Sequence, residues 1–140
     1  MGNQNRTDLT NELERSFRTV FRTFRKEVND LFVDYIPGNE FAVLKALYDN
    51  SPLMASEIAA EIKVSSSHIT AVTDRLVKKD LIVRTRSEED RRIVNLEITQ
   101  KGKSVAQKME DIKHQYFTEK FNRLTSEEMK AMNVLFNKLL

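Results

Sequence analysis

The sequence predicts a mainly α-helical domain that carries one small β-hairpin and has a long amphipathic helix at each end. Three observations carry this reading. Apolar residues recur at steps of three and four over most of the chain, which is the helical period. Two short runs rich in strand formers, 81–85 and 93–98, break that period and flank the polar loop Arg86-Ser87-Glu88-Glu89-Asp90-Arg91-Arg92, as a hairpin with an extended tip would. Just before them, two short helical segments lie on either side of the tight link Lys63-Val64-Ser65, the layout of a helix-turn-helix.

The first helix is expected over 9–35. Leu13, Phe17, Val20, Phe21, Phe24, Val28, Leu31, Phe32 and Tyr35 follow one stripe, and Pro37-Gly38 ends it. Arg15, Arg18, Arg22 and Arg25 share another side, either as a solvated stripe or as a contact to phosphate or a partner. A second helix starts at Asn39 or Glu40, carries Phe41, Leu44, Leu47 and Tyr48, and stops at the turn Asp49-Asn50-Ser51-Pro52. The third, 56–62, turns Ile58, Ala59 and Ile62 inward, and small Ala59 and Ala60 allow close helix approach. Ser65 is placed to cap the fourth helix, whose inner face is Ile69, Val72, Leu76 and Val77. After Thr99-Gln100-Lys101-Gly102 comes a fifth, with Val105, Met109, Ile112, Tyr116 and Phe117 on one side. Thr125 and Glu128 have capping-box spacing, with Leu124 as staple, before a last helix presenting Met129, Met132, Leu135, Phe136 and Leu139.

The 140 residues are the size of one domain, and 31% charged with 40% hydrophobic residues is a globular composition. The net charge of +2 is uninformative, but its distribution is not. Residues 1–62 hold 7 basic and 10 acidic side chains, 63–92 hold 8 and 5, and 93–140 hold 8 and 6. The basic excess is densest mid-chain, as a local nucleic-acid footprint would be, or as a solvated face would be. The absence of cysteine excludes disulfides, thiolate catalysis and thiol redox sensing. No apolar run is long enough to span a membrane, and no apolar leader follows Met1, so a cytoplasmic location is expected. Met1-Gly2 does not make a myristoylation motif, because Arg6 replaces the Ser or Thr. No nucleotide-binding or zinc-protease motif is present. His114 and Asp111 at i and i+3 read as surface neighbours rather than an acid–base pair, and His68 and His114 are far apart for a metal site. Neither an enzyme nor a cofactor or metal is expected.

The fourth helix presents Ser66, Ser67, His68, Thr70, Ala71 and Thr73 after its cap Ser65. Such short side chains suit a helix end inserted into a major groove of double-stranded DNA, and the free N–H groups at a helix N-terminus suit a phosphate. Arg75, Lys78 and Lys79 can reach flanking backbone. Taken alone, this helix reads equally well as a capped surface helix. The loop shifts the balance: Arg91 and Arg92 sit at the hairpin tip, with Arg84 and Arg86 before them, where an arginine can enter a minor groove. Asp90 is expected to pair with a neighbouring arginine and fix the loop.

These segments resemble the multiple-antibiotic-resistance regulator (MarR) family of winged helix-turn-helix regulators. The resemblance rests on Asp90-Arg91-Arg92 followed by Ile98-Thr99-Gln100-Lys101-Gly102, which is similar to the family's wing signature and a hydrophobic-Thr-x-x-Gly element. It rests also on Glu57-Ile58-Ala59, Val64-Ser65, Ile69-Thr70, Asp74-Arg75-Leu76 and Leu81-Ile82-Val83-Arg84. Lys63 and Asp80 stand where the family usually has glycine, and Met54 replaces a usual capping Thr or Ser. The resemblance implies one domain over 1–140, with a winged lobe at 40–98 and dimerisation helices at 9–36 and 100–140. It implies a homodimer joined through Leu13, Phe17, Val20, Phe21, Phe117, Phe121, Met132, Leu135, Phe136 and Leu139. Ser66, Ser67, His68 and Thr70 match reading-helix positions, Arg92 the minor-groove arginine, and Asp90 the residue that steadies the wing. The implied function is a repressor on a pseudo-palindromic operator, with release by a small aromatic or anionic effector a common family property; Tyr35, Phe41 and Tyr48 read first as core packing and second as the border of such a pocket. The alternative is a winged-helix interaction module that does not touch DNA.

Overall fold

The computed structural model describes residues 5–140. The Met1-Gly2 start considered for lipidation lies outside them. Six helices and three strands follow in the order α1 (Arg6–Leu31), α2 (Gly38–Asp49), β1 (Leu53–Met54), α3 (Ala55–Ile62), α4 (Ser66–Lys78), β2 (Ile82–Arg86), β3 (Val94–Ile98), α5 (Gln100–Phe121) and α6 (Ser126–Leu139).

The first helix stops earlier than its apolar period suggests. After Leu31 the chain turns, with the Tyr35 N–H donating to the Phe32 carbonyl at 2.9 Å. This turn lets Phe32 and Ile36 both enter the core. Pro37 therefore terminates nothing. It caps α2, where its fixed φ suits a helix start. At α3, the missing Thr or Ser at position 54 is offset from the other side: Glu57 Oε1 accepts from the Met54 N–H at 2.9 Å. Ala60 is exposed, so of the two small residues only Ala59 packs against the core.

The hairpin forms as expected, in the register Ile82↔Ile98, Arg84↔Leu96 and Arg86↔Val94. A third strand was not anticipated: β1 pairs antiparallel with β3, so the sheet order is β1-β3-β2. The core centres on α2, whose Val43, Leu44 and Leu47 are fully buried beside Ile58, Ile69, Val72, Leu76, Ile82 and Met109.

Where α4 meets β2 and α5, a small clasp holds the chain. Thr99 donates its N–H to the Leu81 carbonyl (3.0 Å) and its hydroxyl to the Asp80 carbonyl (2.7 Å). The same hydroxyl accepts from the Gly102 N–H at 3.0 Å. Gly102 is required here by contact, since a Cβ would run into the Leu81 carbonyl oxygen and the Ile98 side chain.

Helices α1 and α6 contain no buried residue. Leu13 is 70% exposed, Phe17 60%, Leu135 57% and Leu139 77%. Val20, Phe21, Phe121, Met132 and Phe136 are also exposed, while Phe117 is half-buried. The tie between α1 and α5 is Phe24, set among the rings of Tyr116, Phe117 and Phe121. Beside it the Tyr116 hydroxyl donates to Glu27, which also pairs with Lys120 at 3.0 Å. The tyrosine's hydrogen bond, then that of Lys120, hold the Glu27 carboxyl below its ordinary range. Burial first, then this carboxylate, push the Tyr116 phenol up to about 12. A groove of about 950 Å³ runs between these helices, lined by Phe17, Val20, Phe24, Phe117, Met132 and Phe136 among others. No described helix is long and apolar enough to cross a membrane.

Candidate nucleic-acid interface

Helix α4 starts as its sequence dictates. Ser65 caps α4 by accepting from the His68 N–H at 3.2 Å, and its hydroxyl lies 3.2 Å from that of Ser67. Ser65, Ser66, Ser67, Thr70 and Ala71 are exposed, and His68 is half-buried. The Thr70 hydroxyl donates back to the Ser66 carbonyl at 3.1 Å. The first turn contains no acidic residue to compete for an anion. Thr73 departs from expectation. It is 2% exposed, because it stands four residues after Ile69 and joins the inner face with Val72 and Leu76. Its polarity suggested the outer face, but its spacing places it inward.

The cations divide into two groups. Arg75 and Lys79 point at Glu40, a residue the sequence reading passed over, at 3.5 and 2.7 Å. Arg84 pairs with Asp74 across from α4 to β2. Lys78, Arg86, Arg91 and Arg92 are exposed, with Arg86 donating to the Arg91 carbonyl at 2.8 Å. Arg92 is 90% exposed. It is nevertheless ordered by Asp90, which accepts from its Nε and Nη2 and from its backbone N–H, each at 3.1 Å. The Arg92 side chain, then its backbone N–H, hold the Asp90 carboxyl below its ordinary range. The loop itself is closed by two bonds, Ser87 N–H to the Ile93 carbonyl and Ile93 N–H to the Asp90 carbonyl, both 3.0 Å. Asp90 thus pairs with Arg92 across two positions of the loop.

The other expected sites are scattered. Phe41 lies in the core against Phe32, and Tyr48 bonds Gln107. Tyr35 borders a cavity of about 480 Å³, with Arg25, Asn29, Phe32, Ile36 and Pro37. His114 is exposed, and Asp111 accepts instead from Gln107 at 2.9 Å. Among the described residues no group of three or more His, Cys, Asp or Glu could hold a metal.

The model of the MarR family matches residues 36–94, from just before α2 to the first residue of β3. Over 134 residues the chain is 40% identical to the uncharacterized HTH-type transcriptional regulator YpoP of Bacillus subtilis, covering 96% of this chain and 95% of that one. The chain belongs to the MarR family. Similar solved structures include the YusO protein of Bacillus subtilis, with a TM-score of 0.78 and 26% identity, covering 97% of each chain. A MarR family protein from Bacillus stearothermophilus superposes with a TM-score of 0.83 at 19% identity, covering 97% of this chain and 96% of that one. The two positions where this chain departs from the usual MarR glycines do adopt the left-handed backbone. Lys63 has φ 57° and Asp80 φ 61°. Both positions carry a steric cost that glycine would avoid.

Proposed function

We propose that this MarR-family regulator is a homodimer that binds a pseudo-palindromic operator as a repressor. The observation that carries the reading is Arg92: a wing-tip guanidinium, nearly fully exposed, yet fixed by three bonds to Asp90. A cation held ready in this way loses little side-chain freedom on entering a minor groove. Ser66, Ser67, His68, Thr70 and Ala71 at the start of α4 are the candidate major-groove contacts, with Lys78, Arg86 and Arg91 on the phosphates. The exposed apolar faces of α1 and α6 support the dimer, because surface this apolar is covered in stable proteins. Two such lobes would read half-sites about 34–36 Å apart or a multiple of that. The cavity beside Tyr35 and Arg25 suits a small aromatic or anionic effector, whose binding would alter the spacing of the lobes.

The test is titration of a fluorescent duplex from the chain's own upstream region over a series of salt concentrations. Affinity should fall steeply with salt. Arg92→Ala should lower affinity about tenfold, corresponding to loss of roughly 1.4 kcal/mol. Binding that is absent or indifferent to salt would sink the proposal and favour an interaction module.

A further inference from the structure

Glu40 has no role in the reading above, yet its setting is unusual for this molecule. Its side chain is 3% exposed. It is the only charged residue buried among the described residues. It projects from the first turn of α2 toward the last turn of α4, where Lys79 Nζ donates to Oε1 at 2.7 Å and Arg75 Nε lies 3.5 Å from Oε2. A lone carboxylate beside the C-terminal end of a helix would face the negative end of its dipole, so these cations are what make the burial tolerable.

The same end of α4 is held from its other side. Lys101 of α5 donates to the Lys79 carbonyl at 3.1 Å, and Thr99 takes the Asp80 and Leu81 carbonyls. The C-terminal end of the helix is thus tied by polar contacts to α2 and α5, while its N-terminal end carries its serine cap and packs on the core through Ile69. Arg75 and Lys79 belong to the anchor. From sequence alone both counted among the DNA contacts.

We infer that Glu40 is a positioning residue, which pins the C-terminal end of the reading helix and holds Arg75 and Lys79 away from DNA phosphate. This inference rests on the DNA-binding reading. Its consequence is that two of the cations nearest the reading surface contribute little to affinity, although they raise the local positive charge.

Salt dependence separates the roles, since each phosphate contact adds about 0.9 to the slope of log affinity against log salt. With a mixed-sequence duplex and a potassium chloride series, Lys79→Gln should leave the wild-type slope unchanged. Glu40→Gln should steepen it, by up to about 2 per protomer as both cations are released. Adding Lys79→Gln to Glu40→Gln should take back about half of that steepening. A helix that is merely structural would not produce this pattern. Flattening of the slope by Lys79→Gln alone overturns the inference, and that single variant decides the matter if Glu40→Gln fails to fold. Thermal unfolding of the same variants without DNA gives an independent arm. The two losses in melting temperature should combine to less than their sum, and strict additivity would remove the pin. If the wild type binds no duplex at low salt, the DNA reading fails by itself while the unfolding cycle still decides whether Glu40 pins α4.

Discussion

The lobe from α2 to β3 and the terminal helices α1 and α6 contain similar apolar side chains but use them in opposite ways. In the lobe, Leu44, Leu47, Ile58, Ile69, Leu76 and Ile82 are fully buried within one chain. In α1 and α6, Leu13, Phe17, Phe21, Leu135 and Leu139 remain open to solvent. A helix draws most of its stability from packing an apolar face, so these two helices lack most of what should hold them. The lobe is organised by its own sequence. The terminal helices leave their apolar faces uncovered within one chain.

This contrast can be broken most strongly in the lobe. Leu44→Ala should lower the unfolding free energy by about 2–5 kcal/mol in a urea titration, equally at every protein concentration. The joint between the two regions comes next. Gly102→Ala should cost about 1–3 kcal/mol in the same measurement, through forced displacement of α5 from the Leu81 backbone. On the terminal helices the effect should depend on concentration. Phe17→Ser with Leu135→Ser should weaken self-association tenfold or more, about 1.4 kcal/mol, when followed by sedimentation equilibrium. A pair of substitutions that left the association state unchanged would show that the exposed faces serve something other than a second copy. The smallest effect should be a gain. Lys63→Gly relieves a left-handed backbone and should raise stability by roughly 1 kcal/mol, within the lobe and without change in association.

Much of this organisation is legible in the sequence because it depends on neighbours. The caps Ser65 and Thr125 and the Asp90–Arg92 pair all act over two or three residues. The family motifs added the identity of the wing. What could not be read depends on separation or on small size. β1 has two residues and no pattern of its own, so only β3 reveals it. Glu40 meets Lys79 across 39 positions, and nothing local marks either as paired. The early end of α1 follows from where Phe32 and Ile36 must go in the core, although their own segment keeps a helical period. Thr73 has a polar side chain typical of an outer face, yet its step of four from Ile69 carries it into the core.

The clasp at Gly102 has a consequence for suppressor genetics. The first atom a new side chain would strike is the backbone carbonyl of Leu81, and every amino acid carries that carbonyl. Trimming Ile98 would relieve the second clash but leave the first intact. A lesion at Gly102 should therefore have no compensating partner at position 81, and revertants should restore the glycine itself or relax the junction elsewhere.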